Sequence, residues 1–112
     1  MKNIRQNKIS SLVQRSLSEI FLAENSNLFD DAMISVTKVY VTRDLSLARI
    51  YISIYKTDNK DEVFKKVSEN KSYIRKLLGL RIGKQIRFIP QLEFYIDDSL
   101  DYIENIEKLL KK

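Results

Sequence analysis

A chain of 112 residues with 44% hydrophobic and 31% charged residues is sized and composed for one globular domain, residues 1–112, with a modest core. It has no cysteine and no histidine, which removes disulfides, thiolate chemistry, soft-metal sites and the usual neutral-pH general base. No stretch approaches the roughly 20 apolar residues of a membrane helix, and the N-terminus lacks the apolar core of a secretory signal, so a compact cytoplasmic domain is expected.

The first segment reads as an amphipathic helix. Ile9, Leu12, Val13, Leu17, Ile20 and Phe21 fall on one stripe, which leaves Arg5, Lys8 and Arg15 for solvent or a partner. The turn-forming run Glu24 to Asp31 is expected to break it. Ile34 to Arg43 and Leu47 to Tyr55 are rich in β-branched residues, and the second alternates, with Ala48, Ile50, Ile52 and Ile54 on one face. The connection Arg43-Asp44-Leu45-Ser46 is short enough to require an antiparallel hairpin, with Arg43 a candidate partner of Asp44. A short helix over Asp61 to Glu69 follows, with Asp58 as the expected N-cap. Asn70 interrupts it. A second helix runs from about Lys71 into the Gly79–Gly83 region, with Ile74, Leu77, Leu78 and Ile82 along one stripe. Pro90 then opens a third strand in which Leu92, Phe94 and Ile96 alternate with polar neighbours. Asp97-Asp98-Ser99 caps a last helix carrying Leu100, Ile103, Ile106 and Leu110. The order is α-β-β-α-α-β with a C-terminal helix added, an α+β domain with a three-stranded sheet.

The net charge of +5 is concentrated: residues 59–90 carry nine cations against three acids, whereas residues 91–112 carry three against six. Within Asn70 to Pro90 stand Lys71, Arg75, Lys76, Arg81, Lys84 and Arg87 without one acid, together with both glycines. Such a run is either a solvated face or a packed helix that presents cations to a polyanion. Glycines on the cation side would let a phosphate backbone approach closely. Gly79 to Lys84 resembles a phosphate loop only superficially, because the spacing is one residue short, Gln85 replaces the metal-binding hydroxyl, and the segment follows a helix. Tyr51, Tyr55 and Tyr95 form either a base-stacking platform or ordinary cross-strand packing. The acids Asp97, Asp98, Asp101 and Glu104 are read as caps and helix pairs, not as a metal site.

Set in order, the motifs resemble one family. Val41-Thr42-Arg43-Asp44-Leu45-Ser46-Leu47-Ala48-Arg49-Ile50-Tyr51-Ile52-Ser53 is similar to the central hairpin of ribosome-binding factor A. Ile74-Arg75-Lys76-Leu77-Leu78-Gly79, Ile89-Pro90-Gln91-Leu92-Glu93-Phe94 and Asp97-Asp98-Ser99-Leu100 match that family in order, as does Arg5…Lys8-Ile9…Leu17-Ser18-Glu19-Ile20. The resemblance spans essentially the whole chain. It implies a type II KH-like domain and a non-catalytic factor that binds the immature small (30S) ribosomal subunit and its 16S rRNA. Late maturation, 5′-end rRNA processing and growth in the cold belong to that picture, with no cofactor, metal, membrane or small-molecule substrate, and the chain a monomer. The family bends its two central helices at an Ala-x-Gly kink, a position occupied here by Asn70-Lys71-Ser72. The expected rRNA contacts are Lys71, Arg75, Lys76, Arg81, Lys84 and Arg87, supported by Arg5, Lys8 and Arg15, with Arg43 and Arg49 weaker candidates. The basic face alone also fits a module for an acidic protein or a nonspecific nucleic-acid binder.

Overall fold

The computed structural model describes residues 4–97, so the expected C-terminal helix, with Asp98, Asp101 and Glu104, lies outside the described residues. The elements follow the expected order: α1 (Ile4–Leu28), β1 (Met33–Val41), β2 (Leu47–Tyr55), α2 (Lys60–Glu69), α3 (Lys71–Ile82) and β3 (Gln91–Ile96). The sheet order is β1-β2-β3, with β1 and β2 antiparallel and β2 and β3 parallel. Alternation puts Ile34, Val36, Val39 and Val41 of β1 on the same side as Ala48, Ile50, Ile52 and Ile54 of β2, and all eight are buried. A register shift between Val36 and Lys38 keeps the inward residues in phase on both sides of a bulge at Thr37. Helices cover this one face: α1 lies against β1 and α3, while α2 rests on β2 and β3.

Helix α1 extends further than turn propensity implies. Its polar end, Glu24 to Asn27, stays helical because Phe29, just past it, is fully buried against Phe21, with ring centroids 5.6 Å apart. Packing of that pair outweighs the weak helix propensity of Asn and Ser. The turn comes at Asp30 and Asp31, both with positive φ (53° and 63°), and Asp30 also receives the ammonium of Lys66. That contact raises the Lys66 pKa, chiefly through the hydrogen bond to Asp30, and ties the end of α2 to the end of α1.

Two local expectations are corrected. The cap of α2 is Asn59 and not Asp58: its Oδ1 accepts the Glu62 backbone N–H at 3.3 Å and its Nδ2 donates to the Glu62 carboxylate at 2.8 Å. This reciprocal pairing satisfies one helix-end donor and holds the acid against the helix dipole. In the hairpin turn, Asp44 does not take Arg43; its Oδ1 accepts from the Ser46 backbone N–H, the Ser46 hydroxyl and the Thr42 hydroxyl. Those bonds, the Ser46 hydroxyl first, hold the Asp44 pKa below its ordinary 3.8. The lowered folded-state value means that its contribution is complete above pH 3.8 and lost as pH falls through the lowered value.

One buried polar atom stands apart. The Ser10 hydroxyl, on the buried face of α1, has no hydrogen-bond partner among the described residues. Replacing Ser10 with Ala removes an unsatisfied group and improves helix propensity. Urea unfolding of Ser10→Ala should therefore show a gain of about 1 kcal/mol, and a loss of stability would mean that the hydroxyl is satisfied in solution.

Candidate nucleic-acid interface

The bend between α2 and α3 is made by Asn70 alone. Its φ and ψ of −97° and 14° lie in the bridge region, which a side-chain-bearing residue adopts without glycine. Its backbone N–H and its side-chain Nδ2 both donate to the Lys66 carbonyl, at 3.0 and 2.8 Å. Lys71 and Ser72 already belong to the first turn of α3. The kink therefore forms without the small-residue pattern, through a side chain that caps the preceding helix.

The basic run from Lys71 to Arg87 does not act as one face. The stem of Arg75 is half-buried, and its guanidinium donates to the Pro90 carbonyl at 3.0 Å and the Ile89 carbonyl at 2.6 Å. It therefore clamps the entry to β3, just before the Gln91 N–H joins the Ser46 carbonyl at 2.9 Å and the parallel pairing begins. Arg81 pairs with Glu19 of α1 at 2.7 Å. Both groups of that pair are exposed, so it contributes well under about 1 kcal/mol. Lys71 and Lys76 are exposed on α3, and Lys84 and Arg87 are exposed beyond its end. Each glycine has the protein's own atoms where a Cβ would stand. A Cβ on Gly79 would meet Ile89 at 3.5 Å, so this glycine faces packed side chains. A Cβ on Gly83 would lie 2.5 Å from the Gly79 carbonyl oxygen, which makes glycine at that position a requirement of the helix end.

What the fold does bring together is the start of α1 and the segment after α3. Arg5, Lys8 and Arg15 of α1 and Arg87 line one groove of about 700 Å³, with Asn7 and Gln85 between them. None of the four forms an ion pair among the described residues. The groove is held in place by Gln6, a buried side chain whose amide donates to the Val41 carbonyl at 3.0 Å and so fixes the first turn of α1 to the end of β1. Gln14 repeats the device one helical stretch later, donating to the Val36 carbonyl at 3.1 Å. A second cavity of about 430 Å³ continues the groove toward the hairpin turn. It shares Arg5, Ile9, Ile86 and Arg87 with the first and adds Arg43 and Phe88. Arg43, a minor candidate by sequence, thus joins the cationic site. Phe88 was not singled out by sequence; the signal for it is an aromatic directly after Arg87 and two residues before Pro90, off the apolar stripe.

Two of the three tyrosines pack across strands. Tyr51 and Tyr95 are register partners on the open face of the sheet and stack on each other, with centroids 5.3 Å apart and planes at 25°. The Tyr95 hydroxyl donates to Glu93 at 2.6 Å, which raises the Tyr95 pKa. Arg49 lies over Tyr40 at 6.0 Å, away from the groove, and Tyr55 ends β2 outside the stack.

Comparison with known proteins turns this geometry into a lineage. The family model described as ribosome-binding factor A matches residues 5–110. The chain belongs to the ribosome-binding factor A family. A member from Cytophaga hutchinsonii is 39% identical over 112 residues, covering 100% of this chain and 84% of the relative. One from Christiangramia forsetii is 44% identical over 110 residues, covering 96% and 82%. The crystal structure of ribosome-binding factor A from Thermus thermophilus shares the fold, with a TM-score of 0.67 over 81% of this chain and 94% of that one at 19% identity. A homology model of the Thermus thermophilus factor, fitted into the cryo-EM map of a 30S–RbfA complex, gives a TM-score of 0.64 at 22% identity, covering 80% and 91%. Among the described residues no helix is long and apolar enough to cross a membrane.

Proposed function

We propose that this chain is an assembly factor that binds the free small ribosomal subunit through phosphates of its 16S rRNA. On this reading it acts in the cytoplasm as a monomer and assists late maturation and 5′-end processing without catalysing either. The observation that carries the reading is the groove in which Arg5, Lys8, Arg15 and Arg87 converge from two distant parts of the chain. Cations without ion-pair partners, lined up along a groove, suit a polyphosphate, and their affinity is electrostatic and salt-dependent. Selectivity would come from RNA shape rather than from base reading. Family membership supports the choice of partner, because the Thermus thermophilus relative is described in a complex with 30S.

Sedimentation of the purified chain with isolated small and large subunits tests this directly. Comigration with small subunits alone is expected, and equal comigration with both would reduce the protein to a nonspecific polyanion binder. In cells depleted of the chain, 5′-extended 16S precursors should accumulate. Normal 5′ ends would remove the processing role and leave the binding role standing.

A further inference from the structure

The second cavity is built differently from the groove it continues. Its wall holds arginines from three places in the chain, Arg5 on α1, Arg43 in the hairpin turn and Arg87 after α3, together with Leu45 and the ring of Phe88. Phe88 is 73% exposed, far more than any other described phenylalanine or tyrosine, and the Arg87 guanidinium lies 5.6 Å from its centroid. A solvent-facing aromatic beside unpaired cations is poor packing but a good platform for a π-face. Leu45 lines the same cavity with φ of 64°, a left-handed backbone that residues with side chains rarely adopt. That conformation closes the hairpin turn, where the Leu45 N–H donates to the Thr42 carbonyl at 2.8 Å, and it places Leu45 in the cavity wall. The volume of about 430 Å³ falls within the roughly 300–1,000 Å³ typical of sites for small ligands.

We propose that this cavity takes one unpaired nucleotide of single-stranded RNA, its base stacked on Phe88 and its phosphate held between Arg5 and Arg87. The orientation follows from charge. At the turn Asp44 offsets the charge of Arg43, so the net positive end, and the place for a phosphate, is the Arg5–Arg87 end that opens into the groove. The neighbouring phosphates then run along Lys8 and Arg15. A paired base cannot enter, because its faces are covered by its own stack, so the cavity selects unpaired over duplex RNA. The inference rests on the groove being the phosphate track.

Fluorescence anisotropy with labelled oligocytidylate and with a blunt RNA duplex, on the full chain at one fixed salt concentration, tests it. Phe88→Ala should weaken oligocytidylate binding by about 5- to 100-fold and leave duplex binding unchanged, and Phe88→Tyr should bind like wild type. The side chain is exposed, so circular dichroism should show all variants folded. Unchanged oligocytidylate binding in Phe88→Ala, or an equal loss on both ligands, overturns the proposal. Lys8→Gln separates the two readings. If it weakens both ligands while Phe88→Ala is not selective, the groove stands and the cavity inference fails. If Phe88→Ala is selective while Lys8→Gln changes nothing, the groove is not the track and the phosphate placement fails with it, leaving only the base stacked on Phe88.

Discussion

Replacing Arg75 with Met should destabilise the fold by about 2–3 kcal/mol, a fall in Tm of roughly 10–20 °C for a domain of this size. The guanidinium satisfies the carbonyls of Ile89 and Pro90 at 2.6 and 3.0 Å, and methionine keeps the aliphatic stem but leaves both acceptors without a donor. Each is a charge-assisted bond, worth more than a neutral one. Lysine cannot serve two carbonyls with a planar fork, so Arg75→Lys should recover only part of the loss although it restores the charge. Thermal and urea unfolding measure the effect. An Arg75→Met protein as stable as wild type but deficient in RNA binding would return this residue to the interface, where sequence alone had placed it.

The second large effect concerns the groove. Substituting both Lys8 and Arg87 with Glu should lower affinity for isolated small subunits by on the order of 100-fold at physiological salt, with stability unchanged because both side chains are exposed. The neutral pair Lys8→Gln and Arg87→Gln gives a cleaner number. If each residue neutralises one phosphate of a paired segment, the slope of log K against log salt should become shallower by roughly 1.8, or by roughly 1.4 on a single strand. The pair Lys71→Gln and Lys76→Gln provides the contrast, since these cations stand on α3 and do not line the groove. A larger slope change from that pair would move the phosphate track to the α2–α3 bend.

The roles of the cations separate along these lines for a simple reason. Sequence places Arg75, Arg81 and Arg87 on one basic run, but charge density along a chain does not say which guanidinium finds a protein acceptor. Arg75 finds two carbonyls because the chain after α3 folds back beneath it, and Arg81 finds Glu19 because α3 packs against α1. Arg5, Lys8 and Arg15 looked subsidiary in sequence, yet they stand across the groove from Arg87.

By itself the sequence determined the elements found among the described residues, and their inward faces. The period-2 alternation of β2 and the helical stripes of α1 and α3 are local consequences of backbone geometry, and the residues they mark, from Ile50 and Ile52 to Leu17 and Leu78, are fully buried. The ordered motifs also carried the family, which the match over residues 5–110 bears out. Only the tertiary structure decided three things: that β3 lies parallel to β2 at the sheet edge, that Asn70 alone makes the bend, and that the start of α1 meets the segment after α3. The bend is local, made by Asn70 on the Lys66 carbonyl four positions back, whereas the other two depend on contacts between residues far apart in the chain. The Gln6 amide on Val41, 35 positions away, and the Arg75 fork on Ile89 and Pro90 are such contacts, and no local period records them.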